Sequence, residues 1–327
     1  MRSSPSPLTA TLSVTEYDPS TMQDMLYRAV EEWGLTKPES NYYDFWQSIL
    51  KNPFDRLAAL VLATHNDQCI GVGLAHWRPY FSEGCRSVVY MVAAPYRNQG
   101  VGDVLKDGMD RVFQQRGLTH QYALVTPENA EIIPFLARCG FTENLHERSF
   151  RFCWDGAPYS YIPVPGLTLY PFDRDHFDPK VAGELADFYN RAYSTEHVHP
   201  TVTSDLISKL IKTDDAWMVY ARDDATGQIA ACTECTRFGM FSGIAVLRPW
   251  WGTGLAKWIT GYSLDEFQKM GIKPLWSMVR EKNAASIRLH KSVGSYENGY
   301  CRHFISEIPD QDPGAPQTGE TAPATRR

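Results

Sequence analysis

Ser87-Val88-Val89-Tyr90-Met91-Val92-Ala93-Ala94-Pro95-Tyr96-Arg97-Asn98-Gln99-Gly100-Val101-Gly102 is an apolar run that meets a proline and then a glycine-spaced turn. The run, Ser87 to Ala93, reads as a buried strand. Past the turn, Val104, Leu105, Met109, Val112 and Phe113 fall at spacings that suit one face of a helix. A strand entering a helix this way leaves the first helical amides unpaired, and those amides with the helix dipole suit a phosphate. Gly100 lets backbone approach a phosphate, Gly102 keeps the helix start uncrowded, and Arg97 adds charge. A Gly-x-Gly turn alone is weak evidence. No Gly-x-x-x-x-Gly-Lys-Ser/Thr loop is present, and Gly71-Val72-Gly73 lacks the third glycine of a dinucleotide fingerprint.

The stretch occurs twice. Shifting the chain by 154 residues aligns Val92 with Val246, Pro95 with Pro249, Gly100 with Gly254, Asn129-Ala130 with Asn283-Ala284 and Gly140 with Gly294. Glu143-Asn144, Arg148 and Phe150 meet Glu297-Asn298, Arg302 and Phe304, making 15 identities over the 59 positions from 92 to 150. Random pairing gives roughly three or four. Each copy is domain-sized, so the chain is a tandem duplication. Both copies read as strand (Phe241–Leu247 in the second), glycine turn, helix, strand (Gln121–Val125; Leu275–Val279), Asn-initiated helix and a closing strand (Ser149–Trp154; Tyr300–Ile308). That alternation is α/β. The expected organisation is a first domain over 1–156, a proline-bearing linker over 157–166, a second domain over 167–308 and a disordered tail over 309–327.

The 327 residues are 43% hydrophobic and 21% charged, enough apolar mass for two cores. A net charge of −6 lacks the basic footprint of a dedicated nucleic-acid binder. No stretch approaches the roughly 20 apolar residues of a membrane helix, and the N-terminus lacks a signal-peptide core. Seven scattered cysteines suit a reduced, cytoplasmic protein. Cys232 and Cys235 lie in an apolar run, Ile229 to Cys235, where positions three apart point to opposite strand faces, so no metal is expected there.

Val92-x-x-x-Tyr96-Arg97-x-x-Gly100-x-Gly102 resembles the acyl-CoA pyrophosphate motif of the GNAT superfamily of N-acetyltransferases. Asn129, 27 residues after Gly102, with Phe135 and Gly140-Phe141, resembles that superfamily's second motif. Trp251-Gly252-Thr253-Gly254-Leu255-Ala256 and Asn283-x-x-Ser286-x-x-x-His290 are similar to the ribosomal-protein and phosphinothricin acetyltransferase branches. The resemblance spans 87–154 and 241–308 and weakens over the first half of each copy. It implies two tandem GNAT-type domains, each an α/β (α+β) mixed sheet splayed between its fourth and fifth strands, with acetyl-CoA or another acyl-CoA in the opening and no metal. The pyrophosphate would rest on Arg97, Asn98, Gln99, Gly100, Val101 and Gly102, or on Trp251, Gly252, Thr253, Gly254, Leu255 and Ala256. Pantetheine would pair with the backbone of Met91, Val92 and Ala93, or of Ala245, Val246 and Leu247, with Asn129, or Asn283 and Ser286, near the cofactor arm.

Acyl transfer to an amine needs a neutral amine, a stabilised oxyanion and a proton for the thiolate. The resemblance puts a proton donor four residues before the helix-ending glycine, which is His290 in the second copy and Leu136 in the first. The phosphinothricin branch carries a Glu base where this chain has Gly243; Glu234 or Glu281 are the candidate substitutes, against the default reading of each as a surface carboxylate. Trp251 brings no charge where Arg is common, so the first copy keeps the fuller phosphate grip and the second the proton donor. His197-Val198-His199-Pro200 falls in the variable segment that by analogy lines the acceptor side, with an ordinary loop as the plain reading, and Tyr42, Tyr43 and Trp46 read as core packing.

The leading expectation is a cytoplasmic N-acetyltransferase acting on a small-molecule amine by direct attack on the thioester, with no nucleic-acid or membrane partner. Two rivals stand beside it: a non-catalytic acyl-CoA-binding or scaffold protein, favoured by Gly243 and Leu136, and an aminoacyl-tRNA-dependent transferase on the same fold, disfavoured by the net charge.

Overall fold

A computed structural model describes residues 12–37, 46, 49–50, 57–76, 84–156, 159–193, 201–212, 216–236, 239–272 and 275–308. The tail 309–327, His197-Val198-His199, Tyr42 and Tyr43 lie outside the described residues. The first half lays down β1 (Ser13–Glu16), α1 (Pro19–Glu32), β2 (Leu57–His65), β3 (Gln68–His76), β4 (Cys85–Val92), α2 (Val101–Gln115), β5 (His120–Val125), α3 (Ile133–Arg138), β6 (Thr142–Glu143) and β7 (Ser149–Trp154). The second lays down β8 (Leu167–Phe172), α4 (Pro179–Ala192), α5 (Ser204–Lys212), β9 (Ala216–Asp223), β10 (Ile229–Thr236), β11 (Phe241–Val246), α6 (Leu255–Lys269), β12 (Leu275–Arg280), α7 (Ala284–Ser292) and β13 (Tyr296–Glu307). No described helix is long and apolar enough to cross a membrane.

Each half packs helices on both faces of its sheet. In the first, Leu105, Met109, Val112 and Phe113 of α2 bury against Ala59, Val61 and Tyr90. Leu26 and Val30 of α1, with Trp46 and Ile49, bury against Leu60, Leu62, Val72 and Leu74 on the other face. Trp46 is fully buried, as its reading as core packing requires. Each such side chain contributes about 1.5–3 kcal/mol of burial. Gly71 sits in β3 to admit α2: a Cβ there would lie 2.9 Å from Leu105 Cδ1. In the second half, α4 and α5 cover one face through Leu185, Phe188, Ile207 and Ile211. Leu255, Trp258 and Ile259 of α6 cover the other.

Strand order corrects the expectation that each copy closes with its own last strand. The larger sheet runs β1-β2-β3-β4-β5-β13-β7-β12, with β6 on β13, and the smaller runs β11-β10-β9-β8. Arg302–Glu307 of β13 pair with Val125–His120 of β5, while β7 pairs along its whole length with β12, from Ser149↔Arg280 to Trp154↔Leu275. The final strand of each copy therefore pairs with the fifth strand of the other copy. Arg302 of β13 holds Glu143 of β6 through two bonds of 2.7 and 2.5 Å, and Arg280 holds Glu147 at 3.0 Å. The linker is seated as well. Tyr159 and Tyr161 both donate to Asp265 on α6, at 3.1 and 2.7 Å, and Tyr161 occupies the space that a Cβ on Gly261 would fill.

Candidate functional site

In both halves the fourth and fifth strands part. β4 and β5 pair in parallel only from Cys85↔His120 to Ser87↔Tyr122, so the β4 edge from Val88 to Val92 has no strand partner there. In the second half, among the described residues, β11 and β12 share no ladder, and they meet only near the isolated parallel bridge Met240↔Trp276, where Trp276 N–H donates to Gly239 O at 2.9 Å. Each opening leads to a glycine turn and a helix start.

The two turns have the same backbone. Gly100 caps α2 at φ 87°, ψ −3°, and Gly254 caps α6 at φ 90°, ψ −5°. Two positions earlier, Asn98 (φ 60°) and Gly252 (φ 80°) are also left-handed. Glycine suits this region because it carries no Cβ penalty. Neither cap residue offers a side-chain acceptor, so the amides of the first helical turn point out of the fold in both. In the second turn Leu255 N–H is held by Thr253 Oγ1 at 3.3 Å. The residues present thus fit a pyrophosphate in both copies by the same device. Gly102 meets a tighter demand than an uncrowded helix start: a Cβ there would lie 2.7 Å from the Phe135 ring.

Arg97 and Trp251 occupy equivalent positions and make the same bond. Arg97 Nε donates to Val92 O at 3.1 Å, and Trp251 Nε1 donates to Val246 O at 2.8 Å. Each of those two carbonyls therefore already accepts one bond inside the loop and keeps a second lone pair for another donor. The charge that Trp251 lacks is restored by Arg248, whose guanidinium stands 5.7 Å from the Trp251 ring. The first turn of α2 carries Asp103, whereas the corresponding residue of α6 is Lys257. An anion at a helix start favours the cation and is repelled by the carboxylate. The two helix starts thus carry different charges: Asp103, paired with Arg138 at 3.6 Å, in the first copy, and Lys257 with Arg248 nearby in the second.

Asn129 and Asn283 are both spent on local caps. Asn129 Oδ1 accepts from Thr126 N–H at 2.7 Å, and Asn283 Oδ1 accepts from Ser286 N–H at 3.0 Å. Of each side chain, the Nδ2 amide is what remains for a cofactor arm. Asn283 does start α7, as its sequence position suggested; Asn129 sits inside a 3-10 turn capped by Thr126 instead.

The candidate acid–base groups separate clearly. His290 is 1% exposed. Its ring lies 5.2 Å from Phe152 and 5.4 Å from Trp154, both on β7, the strand received from the first copy. Nδ1–H donates to Ser286 O at 2.8 Å, and Nε2 is buried without a hydrogen bond. Burial lowers its pKa to about 4 against a smaller opposing effect of the Ser286 carbonyl. At neutral pH the ring is uncharged, its one proton is on Nδ1, and Nε2 has none to give a thiolate. Glu281 is placed at the seam between the halves, its carboxylate 3.4 Å from Arg148 Nε and its N–H on Arg148 O.

Glu234 is brought against β11, the strand that borders the opening. It pairs directly with Gly243, the position that carries a base in the phosphinothricin branch. A Cβ on Gly243 would lie 3.6 Å from Glu234 Cβ and 3.7 Å from Tyr189 Oη, so the missing side chain leaves room between the carboxylate and the phenol. Glu234 is 3% exposed and accepts from Ser242 Oγ at 2.7 Å. Ser242 and Tyr189 were not singled out from the sequence; strand register brings Ser242 to Glu234, and the packing of α4 brings Tyr189 beside Gly243. Cys232 and Cys235 occupy opposite faces, the first beside Tyr189 and the second packed with Trp154 and Phe241. Burial pushes the Cys232 thiol up to about 12. Among the described residues no three His, Cys, Asp or Glu side chains group to hold a metal.

The first copy differs where its strands part. Tyr90 Oη donates to Gln121 Oε1 at 2.7 Å, tying β4 to β5. Gln121 Nε2 donates to Asp110 at 2.7 Å, and Lys106 holds Asp110 at 2.6 Å. The equivalent residues of the second copy are Ile244, Leu275, Leu264 and Thr260, none of them charged.

The duplicated turn, the splayed strands and the helix order define an acyltransferase-type α/β fold. The chain belongs to the acetyltransferase (GNAT) family, whose model matches residues 22–141 and 182–294, together more than half the chain. Among solved structures it is similar to a tandem GNAT protein from the clavulanic acid biosynthesis pathway, with TM-score 0.71 and 14% identity over 92% of this chain and 100% of that one. A GCN5-related N-acetyltransferase from Sphaerobacter thermophilus gives TM-score 0.65 and 16% identity over 92% and 97%. A glucosamine N-acetyltransferase region of a fungal multi-domain GH3 β-N-acetylglucosaminidase gives 0.64 and 14% over 93% and 38%. At these identities the likeness is one of fold. No curated protein matches the chain.

Proposed function

We propose that this protein is an acyl-CoA-dependent N-acyltransferase whose second copy carries the reaction, with acetyl-CoA as donor and a small-molecule amine as acceptor. The observation that carries the reading is the buried Glu234 carboxylate, set against Gly243 where β11 and β12 part, with Arg248 and Lys257 flanking the glycine turn that follows β11. Gly252–Ala256 would hold the pyrophosphate on their amides, and β11 would align the thioester. The bound acyl-CoA supplies an activated carbonyl. Glu234 accepts a proton from the attacking amine as the C–N bond forms and the C–S bond breaks. An acid at His290 is not required, because a thiol with pKa about 8.5 leaves readily near neutral pH. The first copy is the supporting one in this reading. Its strands are bridged by Tyr90–Gln121 and its helix start carries Asp103. Domains at 1–156 and 167–308 and a cytoplasmic location complete the proposal.

The test is release of free CoA thiol from acetyl-CoA over a panel of primary amines. The wild type and a Tyr90→Phe variant should turn over one class of amine, and Glu234→Gln should lose at least 100-fold. Full activity in Glu234→Gln would overturn the assignment of the base, and no turnover with any amine would overturn the transferase reading.

A further inference from the structure

β10 and β11 pair residue for residue from Ala231↔Val246 to Glu234↔Gly243, and then Cys235 pairs with Phe241. Ser242 is therefore the extra residue of a β-bulge. In unbroken alternation Ser242 and Gly243 would present opposite faces; a bulge re-aims the side chain it carries. The Ser242 hydroxyl consequently reaches Glu234 Oε1, at 2.7 Å. The serine is exposed and the carboxylate is buried, so the hydroxyl stands between Glu234 and the opening.

The first copy is an internal control. β3 and β4 pair without interruption from Gly71↔Val92 to His76↔Ser87. Val88 and Val89 stand where the second copy has Ser242 and Gly243, and Val89 faces Leu74. Bulge, hydroxyl and carboxylate occur together in the second copy, and the equivalent described positions of the first, Val88, Val89 and Leu74 in an unbroken ladder, carry none of them. A bulge introduced only to relieve packing would not need a hydroxyl on a buried carboxylate.

We propose that Ser242 is a positioning residue for Glu234, fixing the orientation of the carboxylate and favouring its charged form so that it is ready to take the amine proton. The proposal rests on Glu234 being the proton acceptor. A hydrogen bond donated to a carboxylate stabilises the ionised state. Around Glu234 the described residues place the Cys232 thiol on the same face of its own strand, Met218 opposite it on β9, Ser242 and Gly243 on β11, and the Tyr189 phenol of α4 beside Gly243, while the neighbouring Cys235 thiol lies on the other face.

Two measurements on Ser242→Ala and Ser242→Thr test this, with Glu234→Gln as the control for the parent reading. In the protein without ligand, carbon-13 carboxyl shifts report the Glu234 titration; Ser242→Ala should raise its midpoint by about one unit and Ser242→Thr should restore it. In the CoA-release assay, Ser242→Ala should lower kcat about tenfold with KM for acetyl-CoA unchanged, and should shift the acid limb of the pH profile the same way. If the alanine variant does not fold, Ser242→Cys, a weak donor, should give the same displacement in smaller measure. If Glu234→Gln abolishes turnover while the Ser242→Ala titration and pH profile match the wild type, the positioning proposal fails alone. If the wild type releases no CoA with any amine, or Glu234→Gln remains fully active, the parent reading fails and takes this one with it.

Discussion

Replacing His290 with leucine, the residue the first copy carries at the equivalent position, should change how the protein responds to acid. In the folded chain the imidazole is buried between Phe152 and Trp154 with its pKa lowered from 6.5 to about 4. Unfolded chains take up this proton below about pH 6.5, whereas the native protein resists it until about pH 4. Between those values the unfolded state binds more protons, so stability falls as the pH falls. At about 1.36 kcal/mol per unit the whole window is worth about 3 kcal/mol. At pH 5 the loss already reaches about 2 kcal/mol, because the unfolded ring is then almost fully protonated and the folded ring almost fully neutral. Leu136 is fully buried in the same place in the first copy, so leucine has a precedent there. Removing a buried polar ring together with its unpartnered Nε2 should leave neutral-pH stability within about 1 kcal/mol. The assay is urea unfolding of wild type and His290→Leu at pH 7.5 and pH 5. Other titrating groups contribute equally to both proteins and cancel in the difference. The wild type should lose about 2 kcal/mol more than the variant. Equal losses would show that the native ring titrates normally, and would return His290 to the list of proton donors.

Calorimetric titration of acetyl-CoA should show binding lost in Gly254→Asp and largely kept in Gly100→Asp, since the charge at the second helix start is arranged to receive phosphate; the reverse result would move the site to the first copy. Trp154→Ala should destabilise the chain by about 3–5 kcal/mol in denaturant unfolding, because this first-copy residue is built into the core with Phe241, Leu264 and Phe267; a cost below 1 kcal/mol would contradict the strand exchange. Residues 167–308 produced alone should fail to give a dispersed amide NMR spectrum, and should fold when co-produced with residues 1–156, because β12 and α7 lose β7 otherwise; a folded, monomeric second fragment would refute the interlock.

The fold class and the phosphate turns were legible in the sequence because they are local. Gly100 and Gly254 mark left-handed caps, and the apolar spacing of Leu105 to Phe113 marks a face, without reference to distant residues. The bond made by both Arg97 and Trp251 was not legible, since a guanidinium and an indole have little in common until each is seen to donate to the equivalent carbonyl of its own copy, Val92 O or Val246 O. Nor was the exchange of last strands. The two copies end in similar strands, and alternation records which face is buried, not which sheet receives the strand.

By itself the sequence determined the duplication, the order of elements, the two glycine turns and the family. Tertiary structure alone decided which candidate groups meet. Glu281 was drawn to Arg148 at the seam and His290 into an aromatic box made by the other copy. Glu234 was set opposite Gly243, with Ser242 turned onto it by one extra residue in β11. The reason is physical: a helix cap is fixed by torsion angles a few residues apart, whereas the environment that sets a proton's affinity is assembled by strand register and burial across the whole chain.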